Sequence, residues 1–233
     1  MQSKKVHLTL AMKALVWVVI GFLVTALALF LPAGTIAWPA GWISLILLYG
    51  FLLVGIWLLL KSNPGLLEER LSLSQPHQKA WDRVFILLFN LVFFAWLVLM
   101  ALDAVRFHWS QMPLVLQVVG AMALVGSFLL ISLTFRENSF LSPTVRIQQE
   151  RGQTVISTGP YQYVRHPLYA SGLLLFLGTS LLLGSWYGLL LVLVMIPGMA
   201  VRAVLEERVL REELPGYDAY MAQVKYRLIP YVW

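Results

Sequence analysis

The sequence contains no cysteine. That excludes disulfides, cysteine-ligated zinc, a thiol nucleophile and C-terminal prenylation of the chain itself. Charge is scarce as well. Only 12% of the residues are Asp, Glu, Lys or Arg, against about 25% in soluble domains, and a water-soluble fold so poor in charge could not cover its own surface. There is no repeat of solenoid or inverted-transporter type, no glycine-rich dinucleotide loop and no strand-like alternation of the kind that builds membrane barrels.

What the chain has instead is apolar blocks. Six of them, at 14–31, 39–60, 84–102, 114–135, 168–183 and 186–201, approach or exceed the ~20 residues that a helix needs to cross the hydrocarbon core. Backbone groups in lipid must be satisfied within the segment, so such runs become helices. The expected fold is all-α, a polytopic membrane protein of about six transmembrane helices. The fifth block is short and is separated from the sixth by Gly184-Ser185 alone, which predicts a tight helical hairpin. Gly184 and Gly188 have the spacing of a helix-packing motif, but they flank this turn, which does not suit such a role. The first block lacks a small-residue cleavage site and is followed by five similar ones, so it is expected to stay in the membrane.

Lys and Arg set the orientation. Of the 17, all but Arg106 fall at the N-terminus (Lys4, Lys5, Lys13), in the second-to-third and fourth-to-fifth connections, or in the C-terminal tail. Both termini are therefore expected in the cytoplasm. The net charge of +6 then reflects topology and attraction to anionic lipid, and no nucleic-acid partner is expected. Trp38, Trp42, Trp109 and Trp186 stand near span ends, as interfacial aromatics do.

Polar chemistry gathers in two cytoplasmic stretches. Asn63-Pro64-Gly65 is turn chemistry, leading into a short interfacial helix over 66–71. From Phe140 onward the chain turns polar. Short extended pieces are expected at 145–148 and 154–156, around a turn at Arg151-Gly152. Tyr161, Tyr163, Arg165, His166 and Tyr169 then fall within nine residues, at the turns that Pro160 and Pro167 bracket and just beyond them. Singly they read as headgroup-level aromatics and a positive-inside charge. Together they suit a planar polar ligand, held by stacking and hydrogen bonds. Beyond the sixth block, Arg202–Glu206, Glu207–Arg211 and Arg208–Glu212 have i,i+4 spacing, expected as salt bridges on a solvated helix face. Arg202 and Glu206 lie closest to hydrocarbon, where charge usually marks function.

These segments resemble the isoprenylcysteine carboxyl methyltransferase family and the related phospholipid methyltransferases. The resemblance rests on Ile147-Gln148-Gln149-Glu150-Arg151-Gly152, on Gly159-Pro160-Tyr161 with Val164-Arg165-His166-Pro167-Leu168-Tyr169, and on Arg202 with Glu206-Glu207. The ending, Leu214-Pro215-Gly216-Tyr217 through Arg227-Leu228-Ile229-Pro230, fits bacterial members, and Asn63 to Arg70 resembles their upstream segment. It implies an integral protein of the bacterial inner membrane, with four N-terminal spans in 1–139 (including the 61–83 connection) and a methyltransferase-like region in 140–233. It implies S-adenosylmethionine as methyl donor and no metal. The donor site would be lined by Gln148, Thr154, Val155, Ile156, Tyr161, His166, Pro167, Leu168, Tyr169 and Glu206. Arg202 would face the acceptor. Catalysis would rest on Arg202 and Glu206, with the role of Glu207 left open.

Methyl transfer from a sulfonium is an in-line displacement that depends on positioning and desolvation. A carboxylate acceptor needs a cation to orient it, and Arg202 is of the right type. That favours O-methylation of a lipophilic, isoprenylcysteine-like carboxylate. Alternatives are N-methylation of a phospholipid amine, with Glu206 or Glu207 as base, a non-enzymatic membrane protein, or a nicotinamide-dependent reductase on the same scaffold.

Overall fold

A computed structural model describes residues 2–72 and 78–233, with side chains from residue 7 onward. The charges at Lys4 and Lys5 thus lie outside the described side chains. No strand occurs among the described residues. Long helices α1 (Gln2–Ala33), α2 (Pro39–Ser62), α4 (Ala80–Ala101), α5 (Leu114–Glu137) and α7 (Trp186–Glu213) are joined by α3 (Pro64–Leu71), α6 (Pro167–Leu183) and α8 (Tyr217–Gln223). The five long helices are long and apolar enough to span a bilayer, and α6 is the shorter apolar helix that the fifth block foretold. The chain is an all-α polytopic membrane protein.

Local chemistry sets the boundaries. The Asn63 side chain accepts from the Leu66 amide at 3.1 Å and caps α3, with Pro64 in its first turn. Pro167 opens α6, and Gly184 in the left-handed region (φ 80°) closes it. Ser185 Oγ then caps α7 by accepting from Gly188 N at 2.8 Å. Helix α4 ends in a π-turn, Leu102–Arg106, which seats a fully buried Asp103 beside Ser110 and Ser185. That carboxylate fastens the end of the bundle opposite the polar cluster, and it was not singled out in the sequence.

The core joins α1, α2, α4, α6 and α7 around Trp96, whose indole N–H reaches Ser180 Oγ and the Gly188 carbonyl, each at 3.1 Å. Gly188 packs after all. A Cβ there would lie 2.6 Å from Met100 Cγ, so α7 approaches α4 closely at this residue. Trp38 is a core residue as well, 7% exposed and edge-on to Phe30, whereas Trp109 is exposed.

Helices α5 and α6 approach most closely at Gly120 and Gly178. A Cβ on Gly120 would stand 2.4 Å from Leu182 N and 2.7 Å from Gly178 O. Backbone cannot yield as a side-chain tip can. Gly120→Ala is therefore expected to destabilise the protein by about 1–3 kcal/mol, read as a lower midpoint of thermal unfolding in detergent. An unchanged midpoint would refute this packing.

Candidate functional site

At one end of the bundle the loops of residues 138–167, the end of α3, the start of α6, the last turns of α7 and α8 enclose a cavity of about 260 Å³. Thr154, Val155, Ile156, Tyr161, His166, Pro167, Leu168, Tyr169, Arg202 and Glu206 all line it. Gln148 does not. It is fully buried beside the cavity, donating to the Phe140 carbonyl at 2.6 Å and accepting from Arg151. Its side chain ties the loop together.

The loop forms no strands, and side chains take two of the amides of its first extended piece. Val145 N donates to Asp82 Oδ2 at 2.9 Å, and Gln148 N donates to Gln153 Oε1 at 2.8 Å. Arg146 is held by Glu69 (2.8 Å) and Glu150 (2.7 Å), which fastens the loop to α3. The Arg146 hydrogen bond holds the Glu150 carboxyl below its usual range.

The aromatic-basic cluster divides sharply. Tyr163 is 67% exposed and takes no part. Arg165 is a buried charge, donating to Glu207 Oε1 (2.7 Å) and to the carbonyls of Val224 (2.7 Å) and Lys225 (2.9 Å). His166 Nε2 is 3.1 Å from the same Glu207 oxygen, and its ring stacks on Tyr169 with centroids 5.3 Å apart. Tyr161 is buried. Its hydroxyl accepts from Asn138 Nδ2, and its carbonyl accepts from Tyr220 OH, each at 2.8 Å. Burial pushes the phenols of Tyr161, Tyr217 and Tyr220 above their ordinary range, so they remain donors.

None of the three i,i+4 salt bridges along α7 forms among the described residues. Arg202, Glu206, Glu207 and Arg211 take partners off the helix, while Arg208 and Glu212 are exposed. Arg202 donates from Nε to Asp82 Oδ1 at 3.0 Å and from Nη2 to the Pro143 carbonyl at 3.0 Å, with its guanidinium over the rings of Phe85 and Tyr169. Glu206 Oε2 accepts from Tyr169 OH at 2.5 Å. Glu207 takes Arg165, His166 and, through Oε2, Arg227 at 2.9 Å. Arg211 pairs with Asp218 of α8. Glu206 and Glu207 thus separate. The first lines the cavity and the second, 3% exposed, lies beneath it.

The cavity carries features of a polar binding site. Tyr217, one of its lining residues, has a buried hydroxyl with no hydrogen-bond partner. Glu206 Oε1 has no hydrogen-bond partner among the described residues either. An organic cation with hydroxyls and a flat ring system fits this donor set. Four residues of importance escaped the sequence reading: Asp82, Arg70, Tyr217 and Tyr220. Tyr217 stands in the Leu214-Pro215-Gly216-Tyr217 ending and Arg70 in the α3 segment, so their motifs were visible but not their roles.

A second cavity of about 970 Å³ adjoins the first. Its apolar walls come from α1, α2, α3 and α5, among them Trp17, Gly55, Leu67 and Leu129, and Arg70 lines both cavities.

No curated protein matches the chain at a significant level. A family model does. From the start of α5 to the turn before α8, residues 115–215 match PEMT, the phospholipid methyltransferase family. This segment holds Tyr161, His166, Tyr169, Arg202, Glu206 and Glu207, the residues on which the motif resemblance was read. Residues 115–215 are thus similar to the phospholipid methyltransferase family, and the match contains the cavity's motif residues.

Proposed function

We propose that the protein is an S-adenosylmethionine-dependent methyltransferase that O-methylates the carboxylate of a lipophilic, isoprenylcysteine-like acceptor. The observation that carries this is the meeting of two unlike cavities, one polar and one apolar, at the end of the bundle where the motif residues gather. When bound, S-adenosylmethionine supplies a methyl group already activated on a sulfonium, and the carbon–sulfur electron pair stays on sulfur as the carbon–oxygen bond forms.

The chain's own residues then have three tasks. Tyr161, Tyr169 and the 154–156 backbone would flank the donor, with Tyr217 OH and Glu206 Oε1 as the free polar groups that bind it. Glu206 is fixed by Tyr169, so its carboxylate is pre-aimed. Arg202 would face the acceptor with Nη1, the terminal nitrogen that makes no hydrogen bond among the described residues. The charge asymmetry of the connections supports a cytoplasmic placement of this end, with water-soluble donor and bilayer-borne acceptor arriving from different sides.

A second reading, methylation of a phospholipid amine, is favoured by the Asp82–Arg202 pair, which neutralises the cation that a carboxylate would seek. Incubation with methyl-labelled donor and total lipid extract separates the two. Base-labile label marks an ester and base-stable label on headgroups an N-methyl product. Calorimetry in detergent should detect donor binding by the wild type and a roughly tenfold or greater loss in Glu206→Ala, as expected for a hydrogen bond to a charged group. Absence of binding by the wild type refutes the methyltransferase reading.

A further inference from the structure

The two cavities share one cation. Arg70, on the last turn of α3, lines both. It differs from the other arginines lining the polar cavity in having no acid within ion-pair distance among the described residues, and the groove's other arginine, Arg136, is exposed. Arg146 has Glu69 and Glu150, Arg165 has Glu207, and Arg202 has Asp82. Arg70 makes no ion pair among the described residues. It donates from Nη1 to the Leu141 carbonyl at 3.2 Å, and its guanidinium lies 4.9 Å from the centre of the Phe135 ring. Nε and Nη2, the edge that takes a carboxylate with two parallel hydrogen bonds, make no hydrogen bond among the described residues.

We propose that Arg70 is the acceptor's anchor: it binds the carboxylate of a single-chain amphiphile whose apolar tail lies in the groove between α1, α2 and α5. This rests on the methyltransferase reading and deepens it, because it moves acceptor recognition from Arg202, already balanced by Asp82, to Arg70. Charge complementarity selects the occupant. A lone, partly buried guanidinium at the mouth of an apolar groove suits a group that brings one negative charge and a long tail. Trp17, Leu52, Leu58, Leu129 and Leu133 line the groove and are exposed on the bundle's flank, so it opens sideways and the tail can enter from lipid. The site is desolvated enough to matter. Burial, then the nearby Arg202 charge, pushes the Arg70 guanidinium down to about 10 against the opposing charge of Glu69, and it remains a cation at neutral pH. Gly55 lines the groove, and a Cβ there would meet nothing within 4 Å, so the space beside it is open.

The test compares ligands that share one tail. Hexadecanoate, hexadecanol and hexadecylamine displace a fluorescent fatty acid from detergent-solubilised full-length protein, and S-adenosylmethionine binding is measured in parallel by calorimetry. The wild type is expected to prefer hexadecanoate over hexadecanol by roughly tenfold, the scale of a charge-assisted hydrogen-bonded pair. Arg70→Gln should erase that preference, Arg70→Lys should keep part of it, and donor binding should be unchanged in both. Gly55→Phe should weaken hexadecanoate and hexadecanol alike. A preference that survives Arg70→Gln, a preference for hexadecylamine in the wild type, or tail binding indifferent to Gly55→Phe would overturn the proposal. Loss of the preference in Arg70→Gln by a protein that binds no donor would leave the anion site standing and remove the methyltransferase reading instead.

Discussion

A Glu207→Ala protein should lose about 3–5 kcal/mol of stability, the scale for truncating one partner of a buried ion pair. Glu207 is 3% exposed, and it gathers Arg165 and His166 from the start of α6 and Arg227 from the tail. Removing the carboxylate leaves the Arg165 guanidinium buried with only the Val224 and Lys225 carbonyls. The tail, whose backbone carbonyls at Tyr226 and Arg227 accept from the Arg165 and His166 amides, should detach with it. Thermal unfolding in detergent measures the effect. Glu207→Gln should fall between the two, since it keeps the shape and loses the charge. Glu206→Ala should unfold near the wild type and lose donor binding. If both neighbours cost the same stability, the division of roles between them is wrong.

That division shows what the sequence could and could not reveal. The apolar blocks named every long helix, because hydrocarbon thickness and backbone satisfaction leave little choice. Turn chemistry fixed α3 at Asn63-Pro64 and the break at Gly184-Ser185. The i,i+4 spacing along α7 was the misleading signal. It assumes a helix face in water, which suits Arg208, Arg211 and Glu212, but Arg202, Glu206 and Glu207 point into a cluster built by segments far away in the chain. Glu206 and Glu207 are adjacent in sequence and, at 3.6 residues per turn, face different directions, so only the packed structure tells the cavity-lining one from the tail-binding one.

The site was legible as a list of residues and illegible as a circuit. All the expected lining residues except Gln148 converge on one cavity. Their partners did not announce themselves. Asp82 sits in the first turn of α4, where an acid reads as an ordinary helix start. Its partner Arg202 is 120 positions away. Arg70 reads as one more positive-inside charge until the groove beside it is known.

Asp82 is the positioning residue whose removal should separate stability from activity most cleanly. Fully buried, it accepts from Arg202 Nε, Val145 N and Gln78 Nε2, so it fixes both the guanidinium and the loop that roofs the cavity. Asp82→Ala is expected to cost about 3–5 kcal/mol of stability, by stranding Arg202 as well as the Val145 amide. It should also lower kcat for methyl transfer by about 100-fold, the scale of a small misplacement in the site. Activity alone cannot tell a misplaced arginine from a loosened fold. The paired replacement Asp82→Leu with Arg202→Met can. Exchanging both charges for apolar groups leaves no stranded ion, and such exchanges are commonly neutral for stability. The double variant should therefore unfold near the wild-type temperature, yet transfer methyl groups no faster than Arg202→Met alone. Recovery of both stability and activity would mean that the pair holds the fold and has no part in positioning. Recovery of stability alone would show that the Asp82–Arg202 pair serves the chemistry of the polar cavity, which Arg202 lines, and not only the fold.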